Sequence, residues 1–378
     1  MAEPGPPVDG VEAVVAPPQL EVPRTPGQIA RRLLQVLVGL GLAALLLGWG
    51  LPYLTQTSWE TILGIVTGIG WVTFAQLLAL MFLGLFSYTF TMTGSMPGLT
   101  HRQALVANLA GSGVSNVLPG GGAIGTVLTY AMYRSWHFAH RAISTSIVVT
   151  TVWNLLARVL LPVLAALVLL PAAQQVPTPM LRGAAVGGAG GALIAAALIA
   201  VISSRRAASA VGRAVDAMIR PVVRARRRSQ PDGALPSTPS ASRTQRHAVE
   251  ELALQVRDTT IDVVRRRWPS LTFGLVGFMG VYFVLFRQCL VAVGVDLSWG
   301  HAFAAYAVGR LLTAVAVTPG GIGVAEAGSA AVMLAFGVPG DLTAAAVTLF
   351  ALFSFLLEIP FGAIAAVIWL TTTDRHRT

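Results

Sequence analysis

No lysine occurs in the sequence, charged residues of all kinds make up only 11% of it, and there is a single cysteine, Cys289. So little charge excludes an ordinary soluble domain, where about 25% is usual. One cysteine rules out an internal disulfide and any multi-cysteine metal site. The ten-residue alternating stretches that a membrane β-barrel needs are also missing. All 26 basic residues are therefore arginines, and against 16 acids they leave a formal charge of +10. In a chain that is 54% hydrophobic, such an excess is accounted for by positive-inside bias and attraction to anionic head groups, and nucleic-acid binding is not expected. What the sequence does have is a series of apolar runs of about 20 residues, each long enough to cross the hydrocarbon as an α-helix. The expected fold class is all-α: an integral membrane protein with about six transmembrane helices.

Residues 1–27 hold seven prolines and four carboxylates and read as a disordered cytoplasmic tail. Arg31 and Arg32 precede a first span at about 33–51, and 57–69 reads as an interfacial helix. Further spans are expected at about 71–93, 142–170, 182–204, 269–290 and 342–370. A first membrane half would cover 28–204 and a second 268–372, ahead of a short cytoplasmic tail at 373–378. Between the halves, 205–267 carries fourteen arginines and six acids. Arg206, Arg213, Arg220 and Arg227 recur every seven residues opposite Val211, Val215, Met218 and Val222, the pattern of a basic helix lying on an anionic membrane surface. A polar linker at 229–244 and a second amphipathic stretch at about 246–267 complete this cytoplasmic elbow. Twenty-two of the 26 arginines then fall on cytoplasmic segments, so both termini are expected in the cytoplasm.

Two apolar segments are interrupted. The first, 103–133, contains Pro119, Gly120, Gly121 and Gly122; the second, 301–337, contains Pro319, Gly320, Gly321 and Gly323. The two prolines stand 200 positions apart, as in a duplicated chain. A helix broken at membrane depth must satisfy its freed backbone groups from protein or trapped water. Basic residues flank the first break on both sides and Asp296 and Asp341 flank the second. The first segment therefore reads as a re-entrant hairpin from the cytoplasm and the second as one from outside, which makes the halves an inverted-topology repeat. Such repeats build transporters whose substrate sites lie at the repeat interface. The same Pro-Gly-Gly turns would also serve merely to pack a tight bend.

Arg158, Arg310, Glu326 and Glu358 sit well inside apolar sequence, where one ionised group costs about 2.5–3.5 kcal/mol on insertion scales. Arg310 and Glu326, in opposite arms of the second hairpin, are expected to pair. Asn116 and Asn154 are candidate hydrogen-bonding partners. Two roles stay open for these six: structural pairs, or substrate binding and gating in which arginines grip a lipid phosphate. Arg287, beside aromatic boundary sequence, reads as a residue that snorkels to an interface. The six histidines are scattered, HExxH does not occur, and no acidic pair or ligand cluster stands in a loop. No catalytic residue, metal or cofactor is expected.

The runs Pro119-Gly120-Gly121-Gly122-Ala123-Ile124-Gly125 and Pro319-Gly320-Gly321-Ile322-Gly323-Val324-Ala325-Glu326, with the basic insert between them, resemble the flippase-like family typified by the transmembrane region of lysylphosphatidylglycerol synthases. The resemblance covers about 28–372. Members usually carry an acidic residue just after the first motif and an arginine shortly beyond, whereas this chain continues Gly125-Thr126-Val127-Leu128-Thr129-Tyr130, so a different substrate is expected. The resemblance implies movement of an aminoacylated phospholipid or a polyprenyl-phosphate-linked sugar across a bacterial cytoplasmic membrane. The soluble aminoacyl-transferase domain of bifunctional relatives is not expected. The other readings are a non-transporting scaffold that docks a lipid-modifying synthase through the elbow, and a membrane-embedded transferase. The expected partners are membrane lipids, anionic head groups above all.

Overall fold

The computed structural model describes residues 45–117, 121–169, 239–313 and 318–374, with isolated positions at 41, 189, 190, 193 and 196. The 1–27 and 375–378 tails, Pro119, Gly120, Arg206, Arg213, Arg220 and Arg227 lie outside the described residues, as does most of the expected spans at 33–51 and 182–204. Among the described residues every regular element is helical. A π-helical turn at Leu46–Gly50 leads into α1 (Leu51–Thr55) and α2 (Trp59–Thr67). Then come α3 (Trp71–Ser95), α4 (His101–Val117), α5 (Gly121–Ser135) and α6 (His140–Leu169). The second half consists of α7 (Pro239–Ala292), α8 (Trp299–Leu312), α9 (Val324–Ala335), α10 (Gly340–Ala351) and α11 (Glu358–Asp374). A π-helical turn, Leu352–Leu356, joins the last two. Among the described residues four helical stretches are long and apolar enough to cross a membrane: Trp71–Ser95, His140–Leu169, Val263–Ala292 and Gly340–Thr372.

One expectation is corrected. Of the expected 229–244 linker, 239–244 is helical and the rest lies outside the described residues, and the amphipathic stretch and the following span are one helix, since α7 runs 54 residues without a break from Pro239. Pro269 lies inside it and withdraws one amide from the ladder, which leaves the carbonyl four residues earlier without its donor. That carbonyl belongs to Arg265, in the exposed stretch 265–269, and the helix continues past it.

The core is built on a seam between α3 and α7. Glycines open it: Gly84 faces the Tyr282 ring, and a Cβ on Gly94 would fall 2.9 Å from Ser270 Oγ. Thr91 Oγ1 donates to the Leu271 carbonyl at 3.0 Å, and Ser270 Oγ donates to the Phe90 carbonyl at 2.8 Å. Small residues and hydroxyls draw helices together where lipid supplies no hydrophobic drive. Positions fall along α7 as they rise along α3, so the two helices are antiparallel.

Further contacts are exchanged between halves. α4 packs on α11, which follows the second hairpin, and α8 packs on α6, which follows the first. The α4–α11 crossing is backbone to backbone, with a Cβ on Gly113 falling 3.0 Å from Gly362 Cα. In each half the order is long helix, two short helices, long helix, and the leading helices α3 and α7 run in opposite senses. That order, with antiparallel leading helices, is the arrangement an inverted repeat requires. Exposed Trp71 and Trp299 mark one end of the bundle and exposed Trp268 the other, as in the aromatic belts of membrane proteins.

Candidate functional site

Both breaks fold into tight helical hairpins. Gly111, Gly121 and Gly125 let α4 and α5 touch, since a Cβ on Gly121 would lie 2.7 Å from Ser115 Cα. Ser115 Oγ bonds the carbonyls of Gly111 at 2.8 Å and Gly121 at 3.1 Å, which satisfies part of the interrupted backbone. In the second hairpin Gly320, Gly321 and Gly323 have φ of 61°, 78° and 87°, the left-handed region that favours glycine. Ser329 Oγ then donates to the Ala305 carbonyl across the arms at 3.1 Å. The second turn meets the end of α4: a Cβ on Gly320 would fall 2.8 Å from Asn116 Oδ1.

Where they meet there is a cavity of about 590 Å³, within the ordinary range for small-molecule sites. Of the six candidate side chains, Asn116, Asn154, Arg158, Arg310 and Glu358 line it, together with Gly121, Gly122, Gly320 and Gly321. Glu358, 6% exposed, accepts from Tyr282 Oη at 2.8 Å and from Asn116 Nδ2 at 3.1 Å. Asn116 Nδ2 also donates to the Phe355 carbonyl at 3.2 Å, which ties the first turn to the helix after the second. Asn154 Nδ2 donates to Tyr88 Oη at 2.6 Å and to the Thr150 carbonyl at 2.8 Å.

Arg310 and Glu326 form no ion pair, which corrects the expected pairing. Glu326 is the third residue after Gly323, and its Oε2 folds back to accept from the Gly323 amide at 2.5 Å. A carboxylate at that position caps the helix and meets the positive end of its dipole. Arg310 instead enters an aromatic cage, its guanidinium carbon 4.9 Å from the Tyr282 ring, 5.5 Å from Phe278 and 5.6 Å from Tyr306. Its Nε donates to Tyr306 Oη at 3.3 Å, and Nη2 is buried without a partner. Arg158, half-buried on α6, makes no hydrogen bond or ion pair among the described residues. Glu326 lines only a small space behind Arg310. Arg287 reaches the exposed Asp296 at 3.5 Å, but its side chain is 14% exposed and its Nε and Nη1 are buried without a partner. Among the described residues no three His, Cys, Asp or Glu side chains gather as metal ligands.

Residues 34–362 match the family described as lysylphosphatidylglycerol synthase TM region. The chain belongs to that family. No curated protein matches it. The stretch matched to the lysylphosphatidylglycerol synthase TM region includes both glycine-rich turns and all six candidate side chains.

The cage of Phe278, Tyr282 and Tyr306 was not anticipated. Its signal was spacing, since Phe278 and Tyr282, like Tyr306 and Arg310, stand four apart and share a helix face. Cavity-lining Thr151 and Leu155 on α6 and Gly122 on α5 are exposed, so the part of the lining that these two helices supply reaches the molecular surface. The symmetry-related pair, α9 and α10, meets over a larger patch.

Proposed function

We propose that this membrane protein is a lipid translocase in which a polar or anionic head group passes through the cavity while the acyl chains stay in the bilayer. The observation that carries the reading is a cavity lined by two arginines and by glycines of both interrupted segments, with exposed residues of α5 and α6 in its lining. A lipid needs a lateral route, because its tails cannot leave hydrocarbon at tolerable cost, and its head group needs polar partners at depth. On this reading the two hairpins re-enter the membrane from opposite faces, and the chemistry is movement, with no bond made or broken. The setting is a bacterial cytoplasmic membrane with both termini inside, and the arginine-rich segment 205–267 rests on anionic head groups.

Purified protein in liposomes, with head-group-labelled lipid and an impermeant quencher, tests this. Active protein makes the inner-leaflet label accessible within the assay, whereas liposomes carrying Arg158→Gln protein retain a protected half. A rate equal to that of protein-free liposomes for every lipid tried would leave the scaffold reading in its place.

A further inference from the structure

Charge in the cavity is distributed unevenly. Three lining side chains are ionisable: Arg158, Arg310 and Glu358. The carboxylate of Glu358 is already engaged by Tyr282 and Asn116. Glu326, the other buried acid nearby, accepts from the Gly323 amide through Oε2, while its Oε1 is buried without a partner; it lines the small space behind Arg310 and not the cavity. The residues that α5 adds to the lining, Gly122, Gly125, Thr126 and Thr129 among them, are uncharged. Among the described residues that line the cavity, no carboxylate is left without a partner to receive an ammonium group.

Capacity for an anion does remain. Arg310 is 9% exposed, and its Nη2 is buried without a partner. Arg158 has no hydrogen bond or ion pair among the described residues, and both arginines line the same cavity. An anion there would answer two like charges and satisfy the orphaned donor. Guanidinium also matches the oxygens of a phosphate in geometry as well as charge.

We propose that the cavity binds lipids whose phosphate or phosphodiester is not neutralised by an amine, and that it discriminates against zwitterionic and aminoacylated head groups. The proposal deepens the translocase reading by naming its substrate class, but binding is measurable without transport.

The full-length protein is purified in detergent and offered phosphatidylglycerol, phosphatidylethanolamine and lysyl-phosphatidylglycerol with matched acyl chains, with retention read by native mass spectrometry. Phosphatidylglycerol should be held roughly tenfold more tightly than either amine-bearing lipid, the scale of one charge-assisted hydrogen bond. Arg158→Gln should abolish most of that preference and Arg158→Lys should keep part of it. Arg158 is half-buried on the cavity wall, so the test survives if Arg310→Gln does not fold. Thr126→Glu, which adds a carboxylate to the opposite wall, should move the preference towards the lysyl lipid. Equal retention of all three lipids, or preference for the lysyl lipid by the unaltered protein, overturns the proposal. Selective retention without translocation in liposomes supports this site and sinks only the transport reading.

Discussion

Arg310 shows how a buried charge is accommodated without a counter-ion bonded to it. Three ring faces and one hydroxyl surround it, and cation–π contacts are worth about 2 kcal/mol or more when desolvated. Its coupling should therefore run to the aromatic residues more than to Glu326. In double-mutant cycles on thermal stability, Arg310→Gln with Tyr306→Phe should give the larger interaction energy, about 1–2 kcal/mol. Arg310→Gln with Glu326→Gln should give less than about 1 kcal/mol. The reverse order would restore the ion pair. The sequence made all six side chains visible as charges or amides inside apolar runs, and five of them line one cavity. It could not say which partner each would choose, because Glu326 had two: an arginine sixteen positions back, and the amide three positions back. The nearer one wins, since the helix places it there at little entropic cost.

At the scale of elements, the breaks were legible because glycine and proline punctuate helices in any solvent. The unbroken α7 was not legible, since a change of composition at about 267 looked like a change of element. The α4–α11 crossing was hidden too, because Gly113 and Gly362 only acquire meaning when they are brought together. Adding a methyl to either should force the helices apart. Gly362→Ala, whose Cβ would lie 2.6 Å from the Leu109 carbonyl oxygen, should destabilise the protein by about 1–3 kcal/mol, the usual cost of overpacking. Gly280, where nothing lies within 4 Å, is the control. Thermal unfolding in detergent should separate the two variants clearly.

For the molecule as a whole, inversion of the repeats carries a topological prediction. Residue 139, between α5 and α6, lies at the end of the bundle where α3 finishes, and residue 296, after α7, lies at the end where α3 begins. Ala139 and Asp296 are both exposed, while Cys289 is fully buried. Single cysteines at 139 and 296 should react with an impermeant thiol reagent from opposite faces of the membrane. Reaction of both from one face would remove the inverted repeat. The inversion also bears on a difference between the halves: α9 and α10 meet over a larger patch than α5 and α6. On the translocase reading proposed above, two copies of one design, turned over, would have a second arrangement in which each takes the other's shape, with α5 and α6 closing and α9 and α10 parting so that access faces the opposite leaflet. The free-energy difference between the two arrangements would grow with how far the copies have diverged in sequence.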